Sequence, residues 1–174
     1  KVGAFTVSFV DLEVPVAGLP IRVTRTYDSR DKGKGDFGFG WRLDLSDVRL
    51  QQSSTTGLNW YATNFGIFTP YCVQAVTPAV VTITMPGGRV YEFEPVMTPS
   101  CQSFIPIQEG TISYRPIAPT QGSLVPADGG AVIVVGSSNG PTQLFGATDY
   151  RLYDPKRFQL TTEDGRVLLI DQAK

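Results

Sequence analysis

Three groups of residues in this chain have types and spacings that chemistry uses. Gly33-Lys34-Gly35-Asp36-Phe37-Gly38 fits G-x-G-x-x-G, the spacing that lets a backbone cradle a pyrophosphate at a helix N-terminus. Gly136-Ser137-Ser138-Asn139-Gly140 fits G-x-S-x-G, the turn that lifts a nucleophilic serine above a sheet. Asp44, Asp47, Asp149, Asp154, Glu163 and Asp164 are carboxylates of the kind used in acid–base work or calcium binding.

Each group lacks the surroundings its chemistry needs. After the first, Trp41 to Leu45 alternates as a strand where a helix is required, and Asp36 would bring negative charge toward a phosphate. After the second, Pro141 follows at once, and the 174 residues contain no histidine to act as base. No spacing singles out a carboxylate pair, and the EF-hand pattern is absent. Histidine is also the commonest metal ligand, and two cysteines cannot complete a tetrahedral zinc site alone. The sequence therefore predicts no enzyme, no catalytic residue, no cofactor and no metal.

Two other sets of residues invite a role. Cys72 and Cys101 either form a disulfide in an exported protein or stay as two buried thiols; spacing alone leaves both open. Trp60, Tyr61, Phe65, Phe68 and Tyr71 crowd one stretch without clean periodicity. Such rings pack in a core or cover a sheet, and the alternative is a carbohydrate-binding patch that stacks on glycans at a cell surface.

The elements that would position these residues are strands. Phe5, Val7 and Phe9 alternate with polar residues, and Asp11 to Val16 reads as a second extended run with Pro15 inside it, which makes it an edge or a strand end. Ile21 to Tyr27 alternates cleanly and puts Arg25 on the apolar face beside Val23 and Tyr27. A guanidinium there needs a carboxylate, and Asp28, Asp36 and Asp44 are the candidates. Val80 to Thr84 and Val90 to Phe93 flank Met85-Pro86-Gly87-Gly88-Arg89 as a hairpin. Phe158 to Thr162 and Val167 to Ile170 flank Glu163-Asp164-Gly165-Arg166 as a second, and the two align with Gly88 on Gly165 and Arg89 on Arg166. No segment has helical periodicity, so the expected fold is all-β: a predominantly antiparallel sheet of hairpins, sandwich-like or open and curved.

Length and composition suit one β-rich domain. Along it lie a signature block at 1–50, an aromatic connector at 51–79, a hairpin at 80–94, a Pro/Gly/Ser-rich loop region at 95–130, and strands with a final hairpin at 131–174. A net charge of -1 without a basic cluster argues against a nucleic-acid partner, and no apolar run is long enough for a membrane span. The opening on Lys1 and the stop just after a strand predict a piece cut from a longer chain.

The signature block resembles the N-terminal, pre-repeat region of RHS/YD-repeat proteins, the shell family of bacterial polymorphic toxins. The resemblance rests on Gly18-Leu19-Pro20, Arg25-Thr26-Tyr27-Asp28-Ser29-Arg30 and Phe37-Gly38-Phe39-Gly40-Trp41, with the two hairpins as weaker matches. It covers about a quarter of the chain. It implies a secreted or cell-surface location and a non-enzymatic structural role at the start of a β-shell around a C-terminal toxin or effector. The partner is then the remainder of the same polypeptide. Arg25, Tyr27, Asp28, Gly38, Gly40 and Trp41 are the residues expected to carry the fold of the block. The chain departs from the family in lacking the repeats and the aspartyl self-cleaving core.

Overall fold

The structure is a computed structural model that describes residues 3–14, 21–35, 37–46, 48–64, 66, 68–85 and 88–172. It is all-β and antiparallel, with no helix among the described residues. The chain gathers into two compact units, one of Lys1–Val48 with Met85–Arg89 and one of Arg49–Thr84 with Val90–Lys174.

The first unit holds β1 (Thr6–Val14), β2 (Ile21–Asp28), β3 (Lys34–Gly35), β4 (Gly38–Phe39) and β5 (Trp41–Ser46). β2 lies between β1 and β5, and β3 pairs with β4. As far as Val14, the two extended runs expected before residue 17 are one strand, β1, whose register slips between Val10 and Leu12; Pro15 and Val16 lie outside the described residues. Phe9 pairs with Arg25 and Leu12 with Val23, so apolar residues shift from odd to even positions across the slip.

The second unit holds β6 (Arg49–Gln52), β7 (Trp60–Thr63), β8 (Tyr71–Ala75), β9 (Val81–Thr84), β10 (Val90–Thr98), β11 (Cys101–Gln102), β12 (Glu109–Pro116), β13 (Ser123–Pro126), β14 (Ala131–Gly136), β15 (Gly140–Gly146), β16 (Arg157–Thr161) and β17 (Val167–Asp171). They form one sheet that curls into an open half-barrel. Its main path runs β11-β8-β7-β15-β14-β12-β10-β9-β6. β12 is a fork: Glu109 to Thr111 pair with β14, while Tyr114 pairs with β13, which leads on to β16 and β17.

Alternation explains the core. Tyr91, Phe93 and Met97 of β10 are buried, as are Ile112 and Tyr114 of β12. The registers line up Tyr114, Leu124, Leu160 and Leu168 as one buried row across four strands. Tyr114 also meets Phe158 edge to face, with ring centroids 5.3 Å apart.

Both expected hairpins form, and they share their closing bonds. Met85 N–H donates to Arg89 O and Gly88 N–H to Met85 O; in the second, Thr162 N–H donates to Arg166 O and Gly165 N–H to Thr162 O. Gly88 and Gly165 both take positive φ, 86° and 82°. The aligned residues therefore do the same backbone work.

The Pro/Gly/Ser-rich region departs most from expectation. It contains the second half of β10, then β11, β12 and β13, where a loop with short strands such as Thr111 to Tyr114 was expected; that strand is part of β12, and the others were not expected. Pro95 sits inside β10 without disrupting it, because β9 pairs only Val90 to Phe93 and leaves that flank of Pro95 outside its ladder. The aromatic connector likewise contains two paired strands, β7 and β8.

Candidate functional site

The signature residues come together on one face of the first unit. β2 presents Arg25 and Tyr27, and β5 presents Trp41 opposite Tyr27. Tyr27 and Trp41 ring centroids are 5.4 Å apart, Phe9 stacks on Trp41 at 6.2 Å, and Phe5 meets Tyr27 at 6.3 Å. The Arg25 guanidinium carbon lies 5.1 Å from the Phe37 centroid and 5.7 Å from that of Trp41. A delocalised cation over aromatic faces is attracted by the ring quadrupole, so Arg25 binds the rings together.

The carboxylate beside Arg25 is Asp11, with Nε to Oδ2 at 2.5 Å and both side chains about one-third exposed. The sequence reading named Asp28, Asp36 and Asp44 instead. Asp28 is engaged elsewhere; Asp36 and the side chain of Asp44 lie outside the described residues. The slip in β1 is the reason. It inserts one residue between Val10 and Leu12, and that residue is Asp11. The change of apolar phase from Phe9 to Val10 is the sequence signal that could have located it.

Asp28 closes the turn after β2. Its Oδ1 accepts from Arg30 N–H at 2.9 Å and from Arg30 Nε at 3.1 Å, and its Oδ2 lies 2.8 Å from an Arg30 terminal nitrogen. The Arg30 side-chain bond, with its backbone bond behind it, lowers the Asp28 pKa from 3.8 to about 2.

Gly40 has φ 75°, and a Cβ there would stand 2.8 Å from both Asp28 O and the Tyr27 ring. Gly40 N–H donates to Gly33 O, and its carbonyl accepts from Asp28 N–H. Gly38, at φ 111°, shares the same glycine requirement. The G-x-G-x-x-G stretch thus folds as the β3–β4 pair and runs directly into β5, with no helix N-terminus to meet a phosphate.

The other candidates fall in the second unit. Cys101 and Cys72 are register partners between β11 and β8 and are joined by a disulfide, so of the two open readings the bonded one is realised. The four connector rings among the described residues do not share a surface. Trp60 is buried at 3% exposure and donates its indole N–H to Thr56 O, while Tyr61 turns to the other face of β7 and Phe68 is fully exposed. Tyr71 is half-buried in β8, and Phe65 lies outside the described residues. Gly136 to Gly140 is the turn between β14 and β15, where Ser137 bonds the backbone of Asn139. No group of His, Cys, Asp or Glu able to hold a metal occurs among the described residues.

These features define an all-β protein whose best-built constellation among the described residues is an arginine–aromatic clamp. A family described as a domain of unknown function (DUF6531) matches residues 1–64, which take in the clamp and continue through β7. No curated protein and no solved structure matches the chain.

Proposed function

We propose that this chain is a non-enzymatic structural segment at the start of an RHS-type β-shell, in a secreted or cell-surface bacterial protein that encloses or presents a C-terminal effector. The observation that carries this reading is the open flank of β17. Among the described residues β17 pairs only with β16. Its inward residues Leu168 and Ile170 are buried, yet its outward residues Val167 and Leu169 are also apolar and are 55% and 62% exposed. A strand apolar on both faces belongs in a sheet that is covered on both sides, and an unpaired flank is a template for a further strand. The natural supplier of both is more of the same polypeptide. The match over residues 1–64 falls on the part that carries the signature motifs, and the Cys72–Cys101 disulfide supports an oxidising destination.

The test is self-association of the 174-residue chain, read by sedimentation velocity from about 1 to 300 µM. Concentration-dependent association that Leu169→Lys suppresses is expected. A chain that stays monomeric across the range would sink the reading. Tandem YD repeats encoded C-terminal to these residues would support it, and their absence would overturn it.

A further inference from the structure

The second unit repeats one strand arrangement. β6, β9 and β10 lie side by side, and so do β13, β16 and β17. With Gly88 set on Gly165, the two hairpin ladders agree pair by pair. Ile83 opposite Tyr91 matches Leu160 opposite Leu168, and Val81 opposite Phe93 matches Phe158 opposite Ile170. All of these side chains are buried. The third strand agrees as well, although it lies outside the hairpin in sequence. Leu50 faces Ile83 as Leu124 faces Leu160, and Gln52 faces Val81 as Pro126 faces Phe158.

The first copy has a fourth strand. β12 runs antiparallel along β10 on the side away from β9, with Phe93 opposite Pro116 and Glu94 opposite Arg115. Arg115 Nε donates to Glu94 Oε1 at 2.9 Å. Just past that ladder, Ile117 N–H donates to Glu92 O and Glu92 N–H donates to Thr120 Oγ1. β12 then passes the sheet on to β13 through Tyr114 and Leu124. Beside β17 no strand pairs in the equivalent place among the described residues.

The exposed groups of β17 say what fits there. Backbone groups alternate along an antiparallel strand, and Gln172 N–H donates to Lys156 O on the β16 side. Leu169 and Asp171 therefore turn their N–H and C=O groups to the open flank, as Glu92 and Glu94 do toward β12. Asp171 matches Glu94; its side chain is 68% exposed and lies 3.9 Å from Arg157 Nε, so its oxygens keep lone pairs for a second cation. Leu169 matches Glu92, and an aliphatic residue placed where Ile117 stands would cover it. We propose that β17 takes a fourth strand in the β12 register: antiparallel, with a basic residue opposite Asp171 and an aliphatic residue opposite Leu169. This rests on the reading of β17 as an open edge and adds the orientation, register and side chains of the strand that joins it.

Arg115-Pro116-Ile117 carries the required pattern, so a synthetic peptide of residues 109–120 is the probe. Titrated to about 2 mM into the isotope-labelled chain, it should shift the Asp171 amide resonance and slow that amide's hydrogen exchange. An Arg115→Glu peptide should bind the parent chain about threefold more weakly, and Asp171→Lys in the chain should reverse that order. Three results would each overturn the proposal: no response at Asp171 at about 2 mM peptide, a response insensitive to the charge exchange, or an Asp171 amide that follows protein concentration and not peptide, the mark of β17 pairing with its own copy. A chain that self-associates but ignores the peptide removes this inference and leaves the shell reading. A chain that takes the peptide in register and stays monomeric does the reverse.

Discussion

Replacing Arg25 with leucine probes the clamp most directly. The change deletes the ion pair to Asp11, in which both partners are about one-third exposed. Solvent screening holds that loss to about 0.5–1 kcal/mol. It also removes the cation from the rings of Phe37 and Trp41, at about 0.5–1 kcal/mol each. Leucine restores some apolar contact to Trp41 but leaves Asp11 without its cation, so the net loss should be about 2 kcal/mol. A unit made of Lys1–Val48 and Met85–Arg89 has a stability of about 3–8 kcal/mol at usual per-residue values, so the loss is a large share of it.

The assay is urea unfolding followed by tryptophan fluorescence. The chain has two tryptophans, Trp41 in the clamp and Trp60 in the second unit's core, and a Trp60→Phe background leaves Trp41 as the reporter. Asp11→Leu and the double variant complete a cycle, and the coupling between the two residues should be about 0.5–1 kcal/mol in the stabilising direction. An Arg25→Leu protein whose Trp41 transition falls within about 0.3 kcal/mol of the parent would refute the reasoning, since a change of that size is ordinary for a surface residue.

Two further outcomes follow from described contacts. Replacing Cys72 and Cys101 together with serine opens a loop of sequence separation 29 and should cost about 3–4 kcal/mol on the chain-entropy account, read as a lower urea midpoint of the second unit; equal midpoints with and without the bond would contradict it. The Asp28 carboxyl should titrate near 2 by NMR, with its stabilising effect fully present above the ordinary value of 3.8 and lost as pH falls toward 2, and Asp28→Asn should flatten that acid limb. A carboxyl that titrates at 3.8 would contradict the turn geometry.

What the sequence revealed was what neighbouring residues determine together. The hairpins around Arg89 and Arg166 were legible because alternation and turn glycines act over about ten residues. The strands β2 and β5 were legible from the same alternation. The partners of β7 and β13 were not, because Ala62 meets Gly140 and Leu124 meets Leu160 across long stretches of chain. Composition misled in the region from Pro95, which itself sits on a flank outside the β9 ladder that needs no donor. In the clamp, Arg25 and Trp41 could be placed, but Asp11 could not, because a single inserted residue decides which carboxylate reaches the guanidinium. A cleft beside Tyr71 was not legible as such, since its lining comes from four separate parts of the chain.

The fork at β12 gives the second unit's sheet three termini instead of two, and they are unequal. One, β11, spans two residues and is covalently fastened. Another, β6, spans four, and the Gln52 amide at its end is occupied by Pro155 O and Lys156. Among the described residues, only the branch through β13 and β16 finishes in a strand with exposed apolar residues. A body with one competent terminus has polarity: whatever it joins is laid down in a single direction, as a staircase begun from a landing can only be continued from its top step.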